Sequence, residues 1–219
     1  MPVRGSRRRQ EVIDQSMRSA LAFFLVSTAV SISSTALTAA EVLRATVTVR
    51  VYQTAGLPSA VEQRALAEAE TVLRAALVDV QWRRCTGQGQ EPSPACDAPL
   101  GPGELSLRIV REGPSWTNGT VATLGAALVD RRAGGVLATV YVNAIAALAI
   151  VAGTDAAVLL GRAAAHELGH LLMASTTHRR QGLMRPKWTR DEVRRDRTAD
   201  WTFGTGDVAT IRRRIPHVR

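Results

Sequence analysis

The chain has 219 residues, 46% of them hydrophobic and 4% aromatic, which is enough to bury the core of one domain. Of its formal charge of +9, residues 1–40 carry +3: Arg4, Arg7, Arg8, Arg9 and Arg18 against Glu11 and Asp14. The remaining +6 lies in no aromatic-interleaved basic groove, which argues against a nucleic-acid partner, and Lys187 is the only lysine, so the arginines reflect composition.

After the basic start, residues 20–40 form an apolar stretch that becomes Ser/Thr/Ala-rich and ends in Thr38-Ala39-Ala40 before Glu41. Small residues there predict a signal peptide cut after Ala40, and so an exported protein: secreted, periplasmic or held in the cell envelope. The alternative is an uncleaved anchor over residues 20–40, for which the serines and threonines are poor material. No stable membrane span is expected once the signal is removed. Translation starts at Met1 or Met17, and the domain proper is expected over residues 41–219.

Residues 44–53 alternate Ala45, Val47, Val49 and Val51 against polar partners and predict a strand. Gly56-Leu57-Pro58 breaks it. Ser59 then predicts a helix start with Glu62 completing a capping box, and Val61, Ala65, Ala69, Val72, Leu73 and Ala76 give the helix one apolar stripe. Residues 78–83 predict a second strand, so strand, helix and strand open a mixed sheet. Cys85 and Cys96, the only cysteines, bracket a Gly/Pro/Ser-rich loop. In an exported chain they predict a disulfide, whose short loop contributes on the order of 2–3 kcal/mol.

Residues 104–110 predict the next strand. Asn118-Gly119-Thr120 is formally a glycosylation acceptor, meaningful only in a eukaryotic secretory pathway. Residues 123–129 and 136–142 predict two strands joined by a hairpin loop over 130–135. Residues 144–151 are apolar throughout and read as buried, with Gly153 ending the run and Thr154 capping a long helix that continues to Leu172. Downstream, Pro186-Lys187-Trp188 turns the chain. A last helix starts at Thr205 or Asp207, with Val208, Ile211 and Ile215 inward and Arg212, Arg213 and Arg214 at its solvated end.

The long helix carries the chemistry. It contains His166-Glu167-Leu168-Gly169-His170, and a four-residue step advances a helix face by only about 40°, so both imidazoles point the same way. Two neutral imidazoles supply half of a tetrahedral zinc site, and Glu167 beside the first can reach a water at the metal without ligating it. His178 follows the helix and can swing back as a third ligand, leaving the fourth position open, which marks a catalytic rather than a structural zinc. The flanks Ala163, Ala164, Ala165, Leu168, Leu171 and Leu172 are apolar. Unpaired polar groups buried among them would cost roughly 2–7 kcal/mol, so a metal is their natural partner.

Residues 166–184 resemble the active-site segment of the metzincin clan of zinc peptidases, H-E-x-x-H-x-x-G-x-x-H followed by a methionine turn. They are more similar to a group of uncharacterised bacterial exported metzincin-like proteins, through His166, Glu167, His170, His178, Gly182, Leu183, Met184 and Arg185. The chain departs from the clan in holding Met173 at the glycine position and His178 two residues late. The resemblance implies an α+β fold in which a mixed sheet of four or five strands packs on the active-site helix, with the disulfide loop peripheral. It implies one Zn2+ per chain on His166, His170 and His178, Glu167 as general base, and Met184 as a hydrophobic floor that does not ligate. It also implies a peptide or protein substrate paired along the edge strand near residues 122–129. No prosegment motif is seen that would place a thiol on the metal, so activity is expected without further cleavage. Two alternatives stay open: a thermolysin-like arrangement with Glu192 as third ligand, and an exported zinc-binding module without catalysis.

Overall fold

A computed structural model describes residues 44–215 apart from 88, 90, 92, 114–122 and 131–133. The expected signal or anchor at residues 1–40, the cut after Ala40, the acceptor at Asn118, Ala122 and the middle of the 130–135 loop lie outside the described residues.

Five strands form one sheet in the order β2-β1-β3-β5-β4. β1 (Ala45–Gln53) is central to three parallel strands, pairing with β2 (Val78–Thr86) through Ala45 and Val78 and with β3 (Glu104–Val110) through Val49 and Leu105. β5 (Gly134–Tyr141) continues the parallel set beside β3, and β4 (Gly125–Asp130) closes the edge antiparallel to it. The class is therefore α+β with a mixed sheet, as expected.

The connections follow from the sequence. α1 (Ser59–Ala75) crosses from β1 to the parallel β2, burying Ala65, Leu66, Ala69, Val72 and Leu73. The long helix α4 (Ala156–Met173) lies beside α1, and both pack on the sheet through one core that includes Val49, Val51, Leu107, Ile109 and Val140. Among the described residues, no helix is long and apolar enough to cross a membrane.

Three local expectations are corrected. Ser59 and Glu62 form no capping box: α1 is capped by extended Pro58, and the Glu62 carboxylate is fully buried, accepting from Arg84 Nε at 2.7 Å and Nη2 at 3.2 Å. A carboxylate committed to a guanidinium across the helix–sheet interface cannot also serve its own helix start. α4 is capped by Asp155, whose side chain accepts from Ala157 N at 2.8 Å, rather than by Thr154. Finally, the apolar run at 144–151 is not buried throughout. It lies in α3 (Val142–Ala152), which turns Ile145, Ala149 and Ala152 inward and leaves Ile150 79% and Val151 56% exposed.

The Cys85–Cys96 disulfide is formed. It ties β2 to the short helix α2 (Pro94–Asp97), and the segment covers the polar side of β1, where Tyr52 donates to Cys96 O at 2.7 Å and Arg50 donates to Ala98 O and Pro99 O. Arg50 also pairs with Glu104, which accepts from Arg83 at 2.7 Å and from Gly101 N at 2.9 Å. This closed ion-pair cluster lies at the β2 end of the sheet, and the histidine helix faces the β4 end.

Candidate metal centre

The last three turns of α4 are rich in alanine and leucine, strong helix formers, and every residue from Leu159 to Met173 is buried. Besides Arg162, three polar side chains are held within this apolar helix: His166 and Glu167 at 7% exposure and His170 at 5%. His166 Nδ1 lies 2.8 Å from Leu183 O, and His170 Nδ1 lies 2.7 Å from Ser175 O. A carbonyl oxygen only accepts, so each Nδ1 carries its proton and each Nε2 keeps a free lone pair.

These lone pairs converge. His170 Nε2 stands 3.1 Å from His166 Nε2 and 3.3 Å from His178 Nε2, and one ligand atom from each of the three rings lies within 4.8 Å of the others. Burial pushes the His166 imidazole down to about 4, helped by its two neighbouring imidazoles and Arg185. Burial also lowers His170 and His178, so all three are neutral donors near pH 7. Nitrogens about 2.0–2.1 Å from one tetrahedral zinc stand roughly 3.3 Å apart, so this donor set fits zinc. A cation also resolves what hydrogen bonding does not, two unprotonated Nε2 atoms facing each other.

Two turns bring His178 to the helix. Ala174 ends α4 in the left-handed region at φ 45°, the role a glycine fills more cheaply, and Ser175 N then donates to His170 O at 3.0 Å. Further on, Arg179 N donates to Met184 O at 2.8 Å, and Arg179 Nε donates to the buried Asp207 at 2.7 Å. Asp207 belongs to α6 (Thr205–Arg214), which buries Ile211 and leaves its three last arginines exposed. Met184 is 1% exposed beneath the helix, and a Cβ added at Gly169 would stand 2.9 Å from its sulfur and 2.5 Å from Phe203. The glycine inside the motif is what lets this floor approach.

Glu192 is placed elsewhere. It lies in α5 (Arg190–Arg195), where its carboxylate accepts from Thr189 N and Oγ1, each at 2.8 Å, and stands 3.6 Å from Arg185. Among the described residues, the metal-capable cluster is His166, His170 and His178 without it.

Glu167 points the other way, toward β4. A Cβ added at Gly125 would come within 2.6 Å of both its Cγ and Oε1. Burial pushes this carboxyl up to about 8, so it exchanges a proton near neutrality. Glu167, the three histidines, the edge strand and α3 line one cleft of about 720 Å³, closed on the far side by Arg185, Lys187 and Trp188. Sequence reasoning missed Gly125, although a glycine inside a strand is itself a signal of close approach. It also read Trp188 as part of a turn.

No family model matches the chain. No curated protein matches it either. Among solved structures, a zinc-dependent peptidase from Methanocorpusculum labreanum (strain Z) is similar over 74% of this chain and 99% of its own, at 16% identity and a TM-score of 0.49.

Proposed function

We propose that the chain is a metzincin-like zinc-dependent endopeptidase, with His166, His170 and His178 holding one zinc and Glu167 acting as general base. The observation that carries this reading is the convergence of three imidazole nitrogens beside a buried carboxylate that opens onto a cleft. Held by these three imidazoles, a zinc ion would supply Lewis acidity toward a peptide carbonyl and toward water. Glu167 then accepts the proton of the attacking water and, once protonated, delivers it to the leaving amine. A carboxyl held near 8 by burial can work in both directions at neutral pH. Met184 supports the ligands from below as an apolar floor.

The substrate is a peptide or protein segment bound in extended form. Among the described residues β4 is an edge strand, and Gly125–Ala127 lines the cleft, so a peptide can pair there as a further strand. The test is incubation with a diverse peptide library, with and without chelator. Chelator-sensitive cleavage, lost in Glu167→Ala with zinc retained, is expected. Zinc bound by the unsubstituted protein without any cleavage would make it a non-catalytic zinc module.

We also propose that the protein acts after export, with residues 41–219 as the mature domain. The Cys85–Cys96 bridge supports this, because disulfides persist in oxidising compartments. Intact-mass measurement on the exported protein should give an N-terminus near Glu41. A membrane-bound form that retains Met1 or Met17 would make residues 20–40 an anchor.

A further inference from the structure

Among the described residues, His166 differs from the other two rings in having an aromatic neighbour outside the cluster. The Trp188 ring meets it edge-on, with centroids 5.8 Å apart and planes at 83°. The hydrogen bond to Leu183 O pins one point of the imidazole but leaves the ring free to rock about the line from its Cβ to that oxygen. A second ring set perpendicular to it blocks that motion.

Trp188 is only half-buried and would need support to act this way. The support is Trp201, 4% exposed, which meets Trp188 edge-on at 5.1 Å and 87°. Trp201 is in turn held by two guanidiniums, with the Arg162 Cζ 4.3 Å and the Arg185 Cζ 5.0 Å from its ring. Neither guanidinium is loose. Arg162, one turn before His166 on α4, is bridged to Glu68 of α1 at 2.8 Å and to Asp196 at 2.6 Å. Arg185 donates to Gly182 O at 2.9 Å and to Asp200 O at 2.7 Å. Contacts from α1, α4, the end of α5 and the turn after Met184 thus converge, through Arg162 and Arg185, on Trp201, the ring that backs Trp188.

We infer that Trp188 is a positioning residue for the zinc ligand His166, held rigid by Trp201 between Arg162 and Arg185. The inference rests on the metal-binding part of the proposed function and not on the peptidase chemistry. Side chains that orient a metal ligand commonly contribute about 10–100-fold in metal affinity.

The experiment compares the full chain with Trp188→Ala and Trp188→Phe, reading zinc affinity by competition with a chromophoric chelator and the Tm of each metal-free protein. Trp82→Phe, on the opposite edge of the sheet, is the control. Trp188→Ala should weaken zinc binding about 10–100-fold with little change in metal-free Tm. Trp188→Phe, which keeps a ring edge against His166, should lie within about threefold of the unsubstituted protein. Equal zinc affinity in Trp188→Ala would overturn the inference, as would failure of phenylalanine to improve on alanine. A loss of affinity accompanied by a large fall in metal-free Tm would also overturn it, because the effect would then be one of folding. Absence of zinc binding by the unsubstituted protein would overturn the metallopeptidase reading itself, a result separable from the others.

Discussion

Glu104 begins the central strand β3, Glu167 lies on α4 against the edge strand β4, and their surroundings drive them in opposite directions. Glu104 is ringed by donors, with the Gly101 N–H, Arg50 and Arg83 holding its carboxyl down at about 2. Glu167 is packed against Gly125, and burial pushes it up to about 8. The first is an ion-pair cluster in which one carboxylate is shared by two guanidiniums. The second is open, with a carboxyl and three imidazoles lining a cleft. Stability and chemistry thus use the same residue types and differ in whether the pairing is completed inside the chain.

The sharpest way to break this comparison is to neutralise each carboxyl in turn. Glu167→Gln should lower peptide turnover about 10²–10⁴-fold, the range for a general base, with zinc stoichiometry unchanged. Glu104→Gln should leave kcat/KM intact. Equal losses in both variants, measured on one chelator-sensitive peptide, would end the distinction.

A second test separates ligands from bystanders. His178→Ala should weaken zinc binding by more than the roughly 10–100-fold expected of a supporting contact, and Glu192→Ala should leave it unchanged, as read by chelator competition. The reverse pattern would restore the thermolysin-like arrangement.

Gly125→Ala comes next in size. A methyl there meets the Glu167 side chain at 2.6 Å and Thr139 O at 2.8 Å, so overpacking should cost about 1–3 kcal/mol in denaturant unfolding and displace the base, lowering kcat. A variant as stable and as active as the unsubstituted protein would mean that Glu167 is not held where it lies.

The smallest effect concerns pH. Because Glu104 has a depressed folded pKa, its stabilisation is fully present above the unfolded value near 4.5 and fades as pH falls toward about 2. The Tm difference between the unsubstituted protein and Glu104→Gln should therefore be widest near pH 6 and shrink below pH 4.5. A difference independent of pH would remove the ion pairs as its cause.

What could be read from the sequence was what repeats locally. Alternation located β1 and β3, and the four-residue spacing of His166 and His170 marked the metal face before any fold was known. The Cys85–Cys96 pairing followed from proximity in the chain. Some of the misses involve partners far apart in sequence. Glu62 has the spacing of a capping residue, and only Arg84, on the second strand, turns it inward. Arg162 and Glu68 are 94 residues apart, and no local pattern connects either to Trp201. The apolar run in α3 gave no polar marks to show that Ile150 faces out. Thr154 and Asp155 are both good caps, and sequence alone does not rank neighbours that differ by one residue.

The fastening of the His178 loop bears on the order in which the site is assembled. The loop bearing His178 is fastened by Arg179 to Asp207 and by Leu183 N to Thr202 O at 2.9 Å, and both anchors follow the histidines in the chain. A nascent polypeptide that has already folded α4 therefore displays two histidines and the base before it can fix the third. On the proposed reading, the third ligand is fixed only when α6 docks. Asp207→Ala should reproduce that unfinished stage in the full-length chain, with zinc bound more weakly while α4 stays folded. Unchanged zinc affinity in this variant would show that the loop holds His178 by itself.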